Sequence, residues 1–325
     1  MAKKRLIQAI NEALHEEMAR DPRVILFGED VKISLFGDTK GLYERFGPER
    51  VRDTPISEVA MTGMAVGAAA AGYRAVCHMM FANFLYTGFD AIANQAAKLR
   101  YMTAGQIRLP VVYMAVMGAG RSSAAQHSDV PYPALMNLGG VKVAVPSTPA
   151  DAKGLLKAAI RDDDPVIFLQ PARRGGEQGE VPDGEHLVPL GTADVKRSGS
   201  DATIVAIGAM VRHALRAADL LQQDDISAEV IDPRTLFPLD QEAILASVRK
   251  TGHLVVVDEA RTTCSAASEI AALVAEQAFA ALRAPVRRVT VPDVAIPYAP
   301  SLEKAVLPDE HSVVRAVRQV IGTAP

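Results

Sequence analysis

Tryptophan is absent from this 325-residue chain, aromatic residues make up only 5% of it, and cysteine occurs twice. Scarce aromatic rings leave little surface for stacking on nucleobases. A formal net charge of −3 provides no basic field for a phosphate backbone, so nucleic acid is not an expected partner. Cys77 and Cys264 form no CxxC pair, which disfavours a zinc knuckle or a disulfide framework; both are expected to be buried, inert thiols. No apolar run reaches membrane-spanning length. The segment Met1-Ala2-Lys3-Lys4-Arg5 turns amphipathic at once and meets Glu12, Glu16 and Glu17, unlike a secretory signal or a transit peptide. The expected location is the cytoplasm, or an organelle after processing. Gly118-Ala119-Gly120 lacks the third glycine of a dinucleotide fingerprint, and no Gly-x-x-x-x-Gly-Lys-Ser/Thr loop occurs.

What is present is a hydrophobic content of 49%, enough for two domains with ample core. Leu6, Ile10, Leu14 and Met18 mark one helical face. Apolar strands are expected at Val24–Phe27, before Thr54, and at Ala75–Met79, Pro110–Met117, Val141–Val145 and Val166–Leu169. Helices are expected between them, including one long helix from Phe84 to Met102. Gly, Pro and Arg crowd residues 171–190, which read as an interdomain linker. A second alternating unit follows, with strands near Thr203, Ala228, Leu254 and Val286. The pattern predicts an α/β protein with mostly parallel sheets covered on both faces, with domains at 1–170 and 191–325. Ligands bind such sheets at the strand carboxyl ends. The loops after Phe27, Asp53, Met79 and Met117 are therefore the candidates.

The chain is organised around Asp53-Thr54-Pro55-Ile56-Ser57-Glu58. A strand ends there and a helix of small residues begins, with Ser57 at the N-cap and Glu58 in the first turn. An acid in that place suits the helix dipole without any function. Gly63 and Gly67 share a face and admit another backbone closely, which predicts a tightly packed, buried helix. His127 lies in the polar loop 118–133, where a histidine can reach a cleft or simply face solvent. Asp162-Asp163-Asp164 reads as a solvated helix end.

Together these stretches resemble the β subunit of the thiamine diphosphate-dependent 2-oxo acid dehydrogenases, including the acetoin dehydrogenases. The matching segments are Gly28-Glu29-Asp30-Val31, Thr39-Lys40-Gly41-Leu42, Phe46 to Val51, Asp53 to Glu58, Asn94 to Lys98, and Ala125-Gln126-His127-Ser128. They continue through Asp151 to Leu156, Asp164-Pro165, Ile231 to Thr235, and Val257-Asp258-Glu259. The resemblance covers nearly the whole chain in order. It implies a pyrimidine-binding domain followed by a transketolase C-terminal-like domain, in a heterotetramer of two α and two β chains.

By the same resemblance, Glu58 hydrogen-bonds the cofactor's pyrimidine nitrogen, and burial beside the cofactor raises its pKa. Phe84 stacks on the pyrimidine, Glu29 lies near the cofactor, and His127 assists proton transfer or reductive acylation of a lipoyl group. Magnesium falls to the α chain, whose Gly-Asp-Gly…Asn motif is missing here. Some members hold potassium on carbonyls matching Val111, Ala159, Asp162 and Asp164. The implied partners are an α subunit, a lipoyl acyltransferase core, and a small 2-oxo acid or acetoin as substrate. The chain departs from the family pattern at His78, Asp129 and Arg173-Arg174, which leaves substrate identity open. Two other readings stay in play: a ketol-transferring enzyme of the transketolase type, and a non-catalytic docking subunit.

Overall fold

The computed structural model describes residues 1–172 and 175–322; Arg173-Arg174 lies outside them. In chain order the elements begin with β1 (Ala2–Arg5), α1 (Leu6–Arg20), β2 (Val24–Gly28), α2 (Leu42–Phe46), β3 (Val51–Asp53), α3 (Glu58–Ala70) and β4 (Arg74–Phe81). Next come α4 (Leu99–Met102), β5 (Val111–Met117), α5 (Tyr132–Met136), β6 (Lys142–Ala144), α6 (Pro149–Arg161), β7 (Val166–Pro171) and β8 (Gln178–Val181). The later part holds β9 (Asp194–Arg197), β10 (Ala202–Ala206), α7 (Met210–Gln222), β11 (Ala228–Asp232), β12 (Thr235–Phe237) and α8 (Gln241–Thr251). It closes with β13 (Leu254–Arg261), α9 (Ala266–Gln277), β14 (Arg287–Val291), α10 (Pro300–Val306) and α11 (Glu310–Ile321).

The chain divides into two compact units, Met1–Met117 with Ala134–Leu190, and Gly118–Pro133 with Gly191–Pro325. In the first, strands run in the order β6-β7-β5-β4-β2-β3, all parallel. Their apolar runs are buried on both faces, as parallel strands require. The stripe Leu6, Ile10, Leu14 and Met18 packs with Leu26, Val112, Met114, Leu155, Leu156 and Phe168 in one core. Across α1 and α6, the buried Lys153 ammonium reaches Glu12 at 3.1 Å and Glu16 at 2.7 Å, and Arg161 reaches Glu17 at 2.6 Å. In the second unit, strands run β14-β13-β10-β11-β9, parallel except for β9.

Four features differ from the sequence expectation. The stretch 84–102 is not one helix. It breaks into a 3₁₀ turn at Ala82–Leu85, a π-helical turn at Ala91–Ala96 and the short α4. Gly88 explains the break, because a Cβ there would lie 2.5 Å from Thr62 Cγ2 and 3.1 Å from the Glu58 carbonyl; the chain passes too close to α3 for a regular helix with side chains. Residues 171–190 are not wholly a linker, since β8 pairs antiparallel with β1. The loop 118–133 belongs to the second unit, although the sequence places it inside the first domain. The expectation of buried thiols holds for Cys77 but not for Cys264, which is exposed.

Candidate functional site

In the first sheet, β3 lies on one side of β2 and β4 on the other. The connections leaving β2 and β4 therefore diverge, and a crevice opens at their carboxyl ends, where ligands of such sheets bind. Glu29 immediately follows β2. It needs Gly28 before it, because a Cβ at Gly28 would lie 2.3 Å from the His78 carbonyl oxygen on β4. Burial pushes the Glu29 carboxyl up from its ordinary range, the Glu58 and Asp30 carboxylates push it further, and His78 partly opposes them.

Glu58 is the first residue of α3. Ser57 occupies the N-cap but makes no side-chain cap bond. The helix is not buried within this chain: Val59 is 63% and Met64 46% exposed. Around a Cβ placed at Gly63 or Gly67 there is nothing within 4 Å. The small residues therefore form an open outer face, while Met61, Thr62, Ala65, Val66 and Ala69 face inward. The expected close packing has no partner for that face among the described residues.

Phe84 sits in the 3₁₀ turn that leaves β4. Its ring stands edge-on to Phe81 at 6.3 Å, and Phe81 stands edge-on to Phe36 at 5.4 Å. The structure thus gathers Glu29, Glu58 and Phe84 on the carboxyl-end loops of one sheet.

His127 ends a 3₁₀ turn, Ala125–His127, in the second unit. Its loop bends through left-handed Gly118, Gly120, Ser122 and Ala124. Carboxylates tie it down. Glu259 accepts from Ala119 N–H at 2.7 Å, and Glu303 accepts from Gly120 N–H at 2.7 Å and from Ser122 N–H at 3.1 Å. Arg261 donates to Asp129 at 2.8 Å. The buried Tyr132 hydroxyl donates to Asp258, whose carboxyl is pushed up, chiefly by burial. Asp129 is thus part of the loop's anchoring. Sequence reasoning gave Glu303, Asp258 and Glu259 no role; the segment Val257-Asp258-Glu259 stood out, but nothing local marks such acids as loop anchors.

Two of the carbonyls at the potassium positions accept hydrogen bonds within the chain. The Ala159 carbonyl accepts from Asp162 N–H at 3.3 Å, and the Asp162 carbonyl accepts from Arg74 at 2.9 Å. Among the described residues no group of three or more His, Cys, Asp or Glu side chains stands together as a metal site. No helix among them is long and apolar enough to cross a membrane.

The family described as "Transketolase, pyrimidine binding domain" matches residues 2–175, and "Transketolase, C-terminal domain" matches residues 191–313. These define the class: a transketolase-like pairing of a pyrimidine-binding and a C-terminal domain. The chain is 46% identical to the "Acetoin:2,6-dichlorophenolindophenol oxidoreductase subunit beta" of Cupriavidus necator, covering 99% of this chain and 98% of that one. It is 45% identical to the "2-oxoisovalerate dehydrogenase subunit beta" of Bacillus subtilis, covering 97% of each. Identity to the "Pyruvate dehydrogenase E1 component subunit beta" of the same organism is 42%, covering 99% of each. Among solved structures, a "Split gene transketolase, inactive beta4 tetramer" matches with a TM-score of 0.81 and 28% identity over 99% of both chains. The chain belongs to the family of transketolase-like β subunits found in acetoin and 2-oxo acid dehydrogenases.

Proposed function

We propose that this chain is the β subunit of a thiamine diphosphate-dependent dehydrogenase of a small 2-oxo acid or acetoin, working with an α subunit in an α2β2 assembly. The acyl group it helps release passes to the lipoyl-lysine of an acyltransferase core. The observation that carries the reading is Glu58 at the head of α3, with Glu29 and Phe84 on other carboxyl-end loops of the same parallel sheet.

When bound, thiamine diphosphate supplies a nucleophilic ring carbon and an electron sink for the bond that breaks beside the carbonyl. This chain's residues prepare it. Glu58 would hydrogen-bond the pyrimidine nitrogen and hold a proton there. Phe84 presents a ring face to the pyrimidine, and Glu29 lines the same crevice. His127 moves a proton at the substrate or at the lipoyl disulfide as that disulfide is reduced. Magnesium is assigned to the α chain, and potassium to the carbonyls of Val111, Ala159, Asp162 and Asp164. The open face of α3, with Gly63 and Gly67 unobstructed, supports close packing against the α chain. The protein is read as cytoplasmic.

The experiment is reconstitution with an α-type chain, thiamine diphosphate and magnesium, followed by pyruvate, branched 2-oxo acids and acetoin with lipoamide as acceptor. Thiamine-dependent reductive acylation of lipoamide from at least one donor is expected. A complex that assembles but acts on none of them contradicts the proposal. A second reading, ketol transfer to an aldehyde, is favoured by the likeness to the split-gene transketolase. Product formation with aldehyde acceptors but not lipoamide would select it.

A further inference from the structure

Beneath the crevice lies a buried imidazole–carboxylate pair that the chemistry above does not use. His78 Nε2 lies 2.9 Å from Asp38 Oδ2, and their side chains are 3% and 1% exposed. The buried Gln170 side chain donates to the same oxygen at 3.1 Å. Met80 N–H points at His78 Nδ1 at 3.4 Å. That contact makes Nδ1 the acceptor and leaves Nε2–H to donate, the tautomer suited to a carboxylate partner. Burial pushes the Asp38 carboxyl up; His78 and then Gln170 outweigh it and leave the carboxyl below its ordinary range.

The three residues come from different parts of the first unit: Asp38 from the stretch after β2, His78 from β4, Gln170 from β7. Immediately after His78 the register of β4 on β5 shifts. Met80 takes a left-handed φ of 54°, a strained conformation that a non-glycine residue keeps only where its surroundings enforce it. The bulge aims the chain toward Phe81 and Phe84. Phe36, two residues before Asp38, lies 6.2 Å from the His78 ring and 5.4 Å from Phe81, and Phe81 leads on to Phe84. On its other side His78 stands opposite Gly28 in the β2–β4 register, beside Glu29.

We infer that His78, Asp38 and Gln170 form a positioning unit for the proposed cofactor site. Their hydrogen bonds hold the β4 bulge and the stretch after β2 in one arrangement, and so set the placing of Phe84 relative to Glu29. The inference rests on the functional reading above. These are positioning residues: they are buried below the crevice and act through the bulge. Replacing one partner leaves the others buried and short of a hydrogen bond.

The test compares His78→Gln, His78→Leu and Asp38→Asn in the full chain, alone and reconstituted. Glutamine keeps an N–H for Asp38 and should hold the half-saturating thiamine diphosphate concentration within about threefold of wild type; leucine should raise it about tenfold or more, with kcat at saturation nearly unchanged. In the isolated chain, amide exchange at Met80–Phe84 should quicken about tenfold in His78→Leu and Asp38→Asn but not in α1 or α6. Wild-type exchange at Met80–Phe84 in both variants would overturn the inference, as would a uniform rise across the unit, which marks mere destabilisation. Should His78→Leu fail to fold, Asp38→Asn carries both readouts. The exchange arm needs no cofactor. If the wild-type complex binds no thiamine diphosphate, the functional reading falls while exchange still decides the positioning claim.

Discussion

The Glu29 carboxyl sits where its surroundings disfavour a negative charge, and that is measurable. Glu29 has its carboxyl pushed up, first by burial and then by Glu58 and Asp30. A carboxyl with a raised folded-state pKa favours folding least when ionised. Its contribution is fully present below the unfolded pKa of about 4 and is lost as pH rises through the folded value. Glu29→Gln should therefore stabilise the isolated chain at pH 7 and lose that advantage below about pH 4; urea unfolding at the two pH values reads this out, and equal effects at both would contradict it. Glu58 was legible in the sequence because a strand, a Pro-containing turn and a serine N-cap announce a helix entry. Asp38 and Glu303 were not. An acid in a loop looks solvated until the fold shows which N–H groups surround it.

At the scale of elements, most strands were legible from apolar runs bounded by turns, and β2, β4, β5, β7 and β13 lie where those runs lie. Elements shaped by distant contacts were not. The break in 84–102 depends on how closely Gly88 passes Thr62, and β8 exists because β1 offers it an edge. The His127 loop is the same kind of case. Periodicity placed it after β5 but could not show that Glu259 and Glu303, far along the chain, bind its backbone. Glu303→Gln weakens the acceptor for Gly120 and Ser122 N–H, where a hydrogen bond to a charged group is worth about 1.5–3 kcal/mol. Limited proteolysis of the folded chain should then cut within 118–133 at least about tenfold faster. Unchanged cleavage would show that the loop is held by other means.

For the molecule as a whole, one helix face has no partner among the described residues. α3 exposes Val59 and Met64 and leaves open space above Gly63 and Gly67. Gly67→Leu should therefore fold normally, since among the described residues nothing lies within 4 Å of a Cβ there, and replacing an exposed helix glycine gains up to about 1 kcal/mol. The same substitution should prevent assembly with an α chain, seen by analytical ultracentrifugation; a normal heterotetramer would remove this face from the interface. The fold and family were legible because motifs run through the chain in order. The departures at His78 and Asp129 became interpretable only when their partners, Asp38 and Arg261, were seen.

The most direct measurement is the rate of hydrogen–deuterium exchange at the thiazolium ring carbon of thiamine diphosphate bound to the reconstituted complex, compared between wild type and Glu58→Gln. The account predicts that the variant assembles and binds the cofactor but exchanges at least about a hundredfold more slowly, the scale of one lost general acid–base group. Exchange at the wild-type rate in an assembled, cofactor-loaded Glu58→Gln complex would contradict it.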